Sequence, residues 1–203
     1  MMNLTEEKAD EVAKRIADDR RHTVLLGPPG SGHTMVARRV ARFLEPTEQQ
    51  RFDIEQIYRV AGLGVSLLAG APLRAPHHTV STVAMTGSSP YPRTSVPRYG
   101  ELSLAHGGVL YLDELPEFHN PVIHAVLNAM KDRSIRFNLA ATNVAYPAEF
   151  VLVAGTYLCP CGRAGGDRDD ECTCEPGCID SYRRRIRKVE ERCRVVDLRE
   201  VFR

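Results

Sequence analysis

The chain has 203 residues, 43% hydrophobic and 26% charged, with a formal net charge of +1, which suits one well-cored soluble domain with room for a small appendage. A balance so near neutrality carries no global signature of a nucleic-acid or membrane-surface protein, and no apolar run approaches the ~20 residues that a bilayer span needs. The polar, acidic start, Met1-Met2-Asn3-Leu4-Thr5-Glu6-Glu7, excludes a secretory leader and leaves a cytoplasmic location as the expectation. In that compartment the six cysteines serve better as metal ligands or free thiols than as disulfides.

Residues 4–19 place Leu4, Val12, Ala13, Ile16 and Ala17 on one side of a helix, with Asn3 and Glu6 at capping-box spacing. A strand over 22–26 follows. Gly27-Pro28-Pro29-Gly30-Ser31-Gly32-His33-Thr34 then leads into a helix over 34–44. Strand, glycine-rich loop and helix is the layout of a P-loop, whose G-x-x-x-x-G-K-[ST] pattern is met at every position except His33, where lysine is expected. Such a loop binds phosphate through backbone N–H groups and the positive end of the following helix. The candidate nucleotide-binding residues are therefore Gly27, Pro28, Pro29, Gly30, Ser31, Gly32, His33 and Thr34, with the Thr34 hydroxyl on Mg²⁺. Histidine is shorter than lysine and, with a reference pKa near ~6.5, only partly charged at neutral pH. Weaker ATP binding and a large loss of hydrolysis rate are expected. A plain Gly/Pro turn is the bland alternative.

Pro46-Thr47 caps a helix over 48–60, and the small residues of 61–72 read as a loop. Residues 73–86 hold a short strand, with His77 and His78 pointing to opposite faces, and 87–100 form a proline-rich exposed loop. Val109-Leu110-Tyr111-Leu112 is the continuous apolar run of a buried parallel strand, and it ends in Asp113-Glu114. An Asp there holds Mg²⁺ through water, and the next Glu orients and deprotonates an attacking water. By itself this is also how a core strand ends in two solvated acids. In order with the glycine loop it completes a nucleotide site. Asn120-Pro121 starts a helix whose buried stripe is Val122, Val126, Leu127 and Met130. A hairpin over 135–139 and 142–146, a core strand over 150–154, a charged helix around 180–194 and a last strand over 195–198 complete an α/β, mostly parallel sheet flanked by helices.

Cys159-Pro160-Cys161 and Cys172-Thr173-Cys174, ten residues apart, are candidate ligands of a structural, tetrahedral Zn²⁺; reduced surface thiols are the alternative. Arg183-Arg184-Arg185-Ile186-Arg187-Lys188 is a basic run able to meet DNA phosphates, although the acids after it suit a solvated helix face equally.

The P-loop, Arg74-Ala75-Pro76-His77-His78-Thr79, the long block from Gly100-Glu101-Leu102-Ser103 to Leu115-Pro116-Glu117-Phe118, and Cys159-Pro160-Cys161-Gly162 together resemble the Mg-chelatase-like AAA+ ATPases, above all their competence-protein, ComM-like branch. The resemblance implies a single AAA+ core domain over 1–203, with an N-terminal helix over 1–20, a helix-2 insert near 61–100, a pre-sensor hairpin and a Cys-rich knuckle over 159–178. It also implies ATP and Mg²⁺ as cofactors, Asp113 and Glu114 as catalytic groups, and a ring of related subunits. The chain departs from the pattern at His33, at Tyr157 in place of a γ-phosphate-sensing Asn, at the neighbour-reaching arginine (Arg192 or Arg194), and at Arg203, ahead of the family's helical lid. Those departures favour ATP binding with impaired or slow hydrolysis. The rivals are a working DNA-remodelling ATPase and a zinc-stabilised interaction module that uses no nucleotide.

Overall fold

A computed structural model describes residues 5–64, 70–88, 98–139, 142–164 and 172–201. Helix α1 (Glu6–Asp19) starts at Thr5, whose hydroxyl accepts from the Lys8 N–H at 3.4 Å, with Glu6 and Glu7 at the positive end. Thr5 is thus the cap in place of the expected Asn3; Asn3 and Leu4 lie outside the described residues. Strand β1 (Thr23–Leu26) leads through the glycine loop into α2 (His33–Phe43). Helix α3 (Glu48–Val60) starts at Thr47 as expected, and the structure adds a capping box there, with Thr47 and Gln50 bonding each other's backbone N–H.

The stretch expected to hold a short strand gives only β2 (Leu73–Arg74). Pro76 and the turn at 78–79 end it, and Ser81 caps α4 (Thr82–Thr86) by accepting from the Ala84 N–H at 3.1 Å. His77 and His78 sit in that turn rather than on a strand, so their rings stack at 4.0 Å instead of facing apart. The expected loop over 87–100 is closed at its base by β3 (Gly87–Ser88) and β4 (Arg98–Tyr99), paired antiparallel; its middle, 89–97, is outside the described residues. After α5 (Glu101–Leu104) come β5 (Val109–Leu112), a 3₁₀ turn (Leu115–Glu117) and α6 (Asn120–Asp132). The hairpin is β6 (Ser134–Leu139) with β7 (Thr142–Pro147), followed by β8 (Val151–Thr156). Helix α7 (Pro176–Glu190) starts four residues before the expected helix, with Pro176 in its first turn. Strand β9 (Arg194–Asp197) and α8 (Leu198–Val201) end the described chain.

The main sheet is parallel throughout, in the order β2-β5-β8-β1-β9. Side chains alternate across a strand, so each strand feeds two cores. Val24, Leu110, Leu112, Leu152 and Ala154 face α6, α7 and the hairpin, whereas Leu25, Val109, Tyr111, Val151 and Val153 face α1 and α2. Both faces being covered explains why the strands read as unbroken apolar runs. Strand β8 lies between β1 and β5. The loop after β1 and the acids after β5 therefore open at the same edge, the carboxyl ends of the strands, one strand-width to either side of Thr156.

Candidate nucleotide site

The loop is pinned at its start by the Gly27 N–H, which donates to Thr156 O at 3.2 Å, and folded in its middle by the Ser31 N–H on Pro28 O at 3.1 Å. Gly30 (φ 82°) and Gly32 (φ 94°) occupy the left-handed region that a nest of N–H groups requires and that other residues adopt at a cost. Gly32 is the residue before α2, so the amino end of that helix opens on the cradle. Residues 27–34, Asp113 and Glu114 lie at this one edge of the sheet.

His33 is the first helical residue, yet only 6% exposed. Its Nε2 lies 3.4 Å from the Ser31 hydroxyl, and its ring is 6.0 Å from that of Tyr157. Room for it comes from Gly155: a Cβ there would meet the His33 Cβ and Cγ at 3.4 Å and the Asp113 Oδ1 at 3.0 Å. Burial pushes the His33 pKa down to about 4, with the nearby Asp113 charge opposing that fall. The imidazole in this chain is thus neutral at pH 7, where the sequence alone suggests partial charge. The unfolded chain takes up this proton near the ordinary 6.5 and the folded chain only near 4. The His33 contribution to stability is therefore whole above pH 6.5 and lost as pH falls towards 4. Urea unfolding should show the native chain losing about 2 kcal/mol more than His33→Gln between roughly pH 7 and pH 4.5. Equal losses in the two proteins would refute a neutral, buried His33.

Glu114 has φ 51° and ψ 54°, a left-handed conformation that is unusual for a non-glycine residue and often found at working sites. Its N–H donates to Asp113 Oδ1 at 3.2 Å, and its Oε1 accepts from the Tyr157 hydroxyl at 3.2 Å. Burial pushes the Tyr157 phenol above its ordinary range, helped by the Glu114 charge, so it is a donor at every working pH. Thr34 Oγ1 is 3.3 Å from the Tyr111 hydroxyl. A hydroxyl and a carboxylate are the hard oxygen donors that Mg²⁺ selects, so Thr34 and Asp113 fit it.

The four predicted cysteine ligands also converge. Cys159 and Cys161 Sγ are 3.4 Å apart, Cys161 and Cys172 3.7 Å, Cys172 and Cys159 3.6 Å, and all four sulfurs, Cys174 included, lie within 4.8 Å of one another. A disulfide needs ~2.05 Å, whereas tetrahedral Zn–S bonds of ~2.3 Å put sulfurs ~3.8 Å apart. The donor set fits zinc, and the six thiols are unpaired. The thiols split in their protonation: the Arg163 backbone N–H, then the Cys159 thiol, lower the Cys161 pKa to about 6, whereas Cys174 is pushed up to about 12 beside the Cys161 thiol. Cys178 is exposed on α7 and stands outside the cluster.

Tyr111, Gly155 and Gly162 are site residues that motif reading missed. A glycine one residue before the end of an apolar strand was the available signal for Gly155. Tyr111 and Gly162 gave none, since their contacts come from other segments. Of the two candidate neighbour-reaching arginines, Arg192 donates to Leu127 O at 3.2 Å and Arg194 to Asp19 Oδ2 at 2.8 Å.

Residues 1–195 match the family model described as magnesium chelatase, subunit ChlI. The chain is 36% identical over 172 residues to the competence protein ComM of Haemophilus influenzae, covering 81% of this chain and 33% of that protein. It is 34% identical over 155 residues to YifB of Salmonella typhimurium, an uncharacterized protein, covering 75% of this chain and 29% of YifB. The chain thus spans about a third of the length of these relatives. Among solved structures, NtrX from Brucella abortus superposes with a TM-score of 0.57 at 16% identity, over 96% of this chain and 37% of NtrX. A chain of the BchI–BchD magnesium chelatase complex superposes with a TM-score of 0.54 at 18% identity, over 88% of this chain and 57% of that one. Those two likenesses concern the AAA+ fold. By the family model that matches almost its whole length and the identity to these relatives, the chain belongs to the magnesium chelatase subunit ChlI family, built on an AAA+ core.

Proposed function

We propose that the chain binds ATP with Mg²⁺ in the cradle of residues 27–34 and hydrolyses it slowly or not at all. The observation that carries this reading is the pair of substitutions meeting at one point. Neutral His33 stands where a phosphate-contacting cation belongs, and Tyr157 donates to the carboxylate of Glu114. The cradle keeps what binding needs, namely backbone N–H groups, a helix amino end, the Thr34 hydroxyl and the Asp113 carboxylate. Bound Mg²⁺ would bridge phosphate oxygens and neutralise their charge. Thr34 and Asp113 would hold it, and Ser31 and His33 would line the phosphates. Glu114 is the group able to take a proton from water, but its Oε1 is engaged by the Tyr157 hydroxyl, which restrains the carboxylate. Titration with a fluorescent ATP analogue, paired with phosphate release, tests both halves of this reading.

Three further features belong to it. Zn²⁺ bound by Cys159, Cys161, Cys172 and Cys174 orders the segment after β8. The chain works beside related AAA+ subunits, as BchI does with BchD in their complex. It is a cytoplasmic protein, consistent with described helices that are all too short or too polar to cross a membrane. The rival, a DNA-remodelling motor, draws less support: in the basic run Arg185 donates to Phe118 O and Arg187 pairs with Glu191.

A further inference from the structure

The cysteine cluster is not an appendage remote from the nucleotide cradle. It grows out of the end of β8, the strand whose Thr156 O holds the start of the loop. Cys159 is fully buried, and the chain turns directly after it, with the Gly162 N–H on Cys159 O at 3.0 Å and the Ala164 N–H on Cys159 Sγ at 3.3 Å. Gly162 has φ +72° and lies against the phosphate loop: a Cβ on it would stand 2.7 and 3.0 Å from Pro29 Cγ and Cδ, and 3.8 Å from Tyr157 Cδ2. The knuckle's turn thus touches the exposed arm of the P-loop and the residue that holds Glu114. Apart from the Ser31 N–H on Pro28 O, that arm offers few groups to fix it. Pro28 and Pro29 have no N–H to donate, and Gly30 has open space where a side chain would be. Four thiols within 4.8 Å of one another have no covalent bond among them, so a metal is what would make the turn rigid.

We propose that Zn²⁺ on Cys159, Cys161, Cys172 and Cys174 makes the knuckle the outer wall of the phosphate cradle, so that metal occupancy sets the order of residues 27–34 and with it the affinity for nucleotide. This rests on the zinc and ATP readings above. The contact runs through Gly162 and Pro29, and through Tyr157 it reaches the catalytic glutamate. Metal supply, or any chemistry that consumes the thiols, becomes an input to the nucleotide site.

The test uses the full chain, either stripped of metal with a chelator or reloaded with one equivalent of Zn²⁺. Hydrogen exchange of the peptide covering 27–34 should slow by about tenfold on reloading, and a fluorescent ATP analogue should bind several-fold more tightly. Gly162→Ala, whose methyl would press on Pro29, should keep one zinc per chain by metal analysis and lose both gains. Unchanged exchange at 27–34 with one zinc bound would overturn the coupling while leaving the zinc reading intact. A chain that takes up no zinc would overturn both. Exchange that slows with zinc in a chain that binds no analogue would overturn the link to nucleotide.

Discussion

His33→Lys should tighten binding of a fluorescent ATP analogue at pH 7.5, with Mg²⁺ present, by roughly 30- to 100-fold. Residue 33 begins α2 at the mouth of the cradle, but its imidazole is buried against β8 and neutral. It offers the phosphates at most one uncharged hydrogen bond, and the Ser31 hydroxyl competes for it. A lysine on the same backbone reaches further and carries a permanent charge. Charge-assisted hydrogen bonds contribute ~1.5–3 kcal/mol each, and ordering the long side chain costs up to ~2 kcal/mol, so two contacts leave a net gain of ~2–3 kcal/mol. Isothermal titration of both proteins at one ionic strength measures it. Equal affinities would mean that position 33 does not face the phosphates.

The second expectation concerns turnover. Phosphate release by the native chain should run no faster than that of Glu114→Gln, because the glutamate is already restrained. In a His33→Lys background, Tyr157→Asn should raise release by about 100-fold or more, the scale on which a group aimed at transition-state charge usually counts. Tyr157 donates to Glu114 Oε1 at 3.2 Å, and its ring lies 6.0 Å from that of His33, so the two substitutions touch one network and their effects will not add. Removing the Tyr157 phenol frees the carboxylate to act as a base, and the shorter Asn leaves space for the water it would activate. Adding Glu114→Gln to the double variant should return the rate to background. If that triple variant stays fast, Glu114 is not the base.

Much of this fold was legible because its signals are local and strong. Four-residue apolar runs such as Val109–Leu112 are buried on both faces, and caps such as Thr47 act within one turn. The P-loop, the Asp113-Glu114 pair and the two cysteine pairs were each visible as spacings. Their meeting at one edge followed from strand order, which a sequence shows only through a family resemblance. What escaped was of two kinds. Short elements such as α4 and β2 depend on a cap or a proline overriding residues that favour strand. Contacts between segments far apart in the chain, Thr34 with Tyr111 or Pro29 with Gly162, leave no periodic trace. The protonation state of His33 belongs with these: it depends on Gly155, more than a hundred residues on, leaving room for the ring to be buried.

The claim beneath all of this is that residues 27–34 remain a nucleotide cradle without a charge at position 33. Titration of the native chain with a fluorescent ATP analogue at pH 8, with and without Mg²⁺, tests it most directly. His33 is then neutral with or without its burial, so any affinity must come from the backbone nest, the helix end and the metal. The account predicts saturable binding that Mg²⁺ strengthens, that unlabelled ATP displaces, and that Asp113→Asn deprives of its Mg²⁺ dependence. No saturable binding, or binding indifferent to both Mg²⁺ and Asp113→Asn, would contradict it.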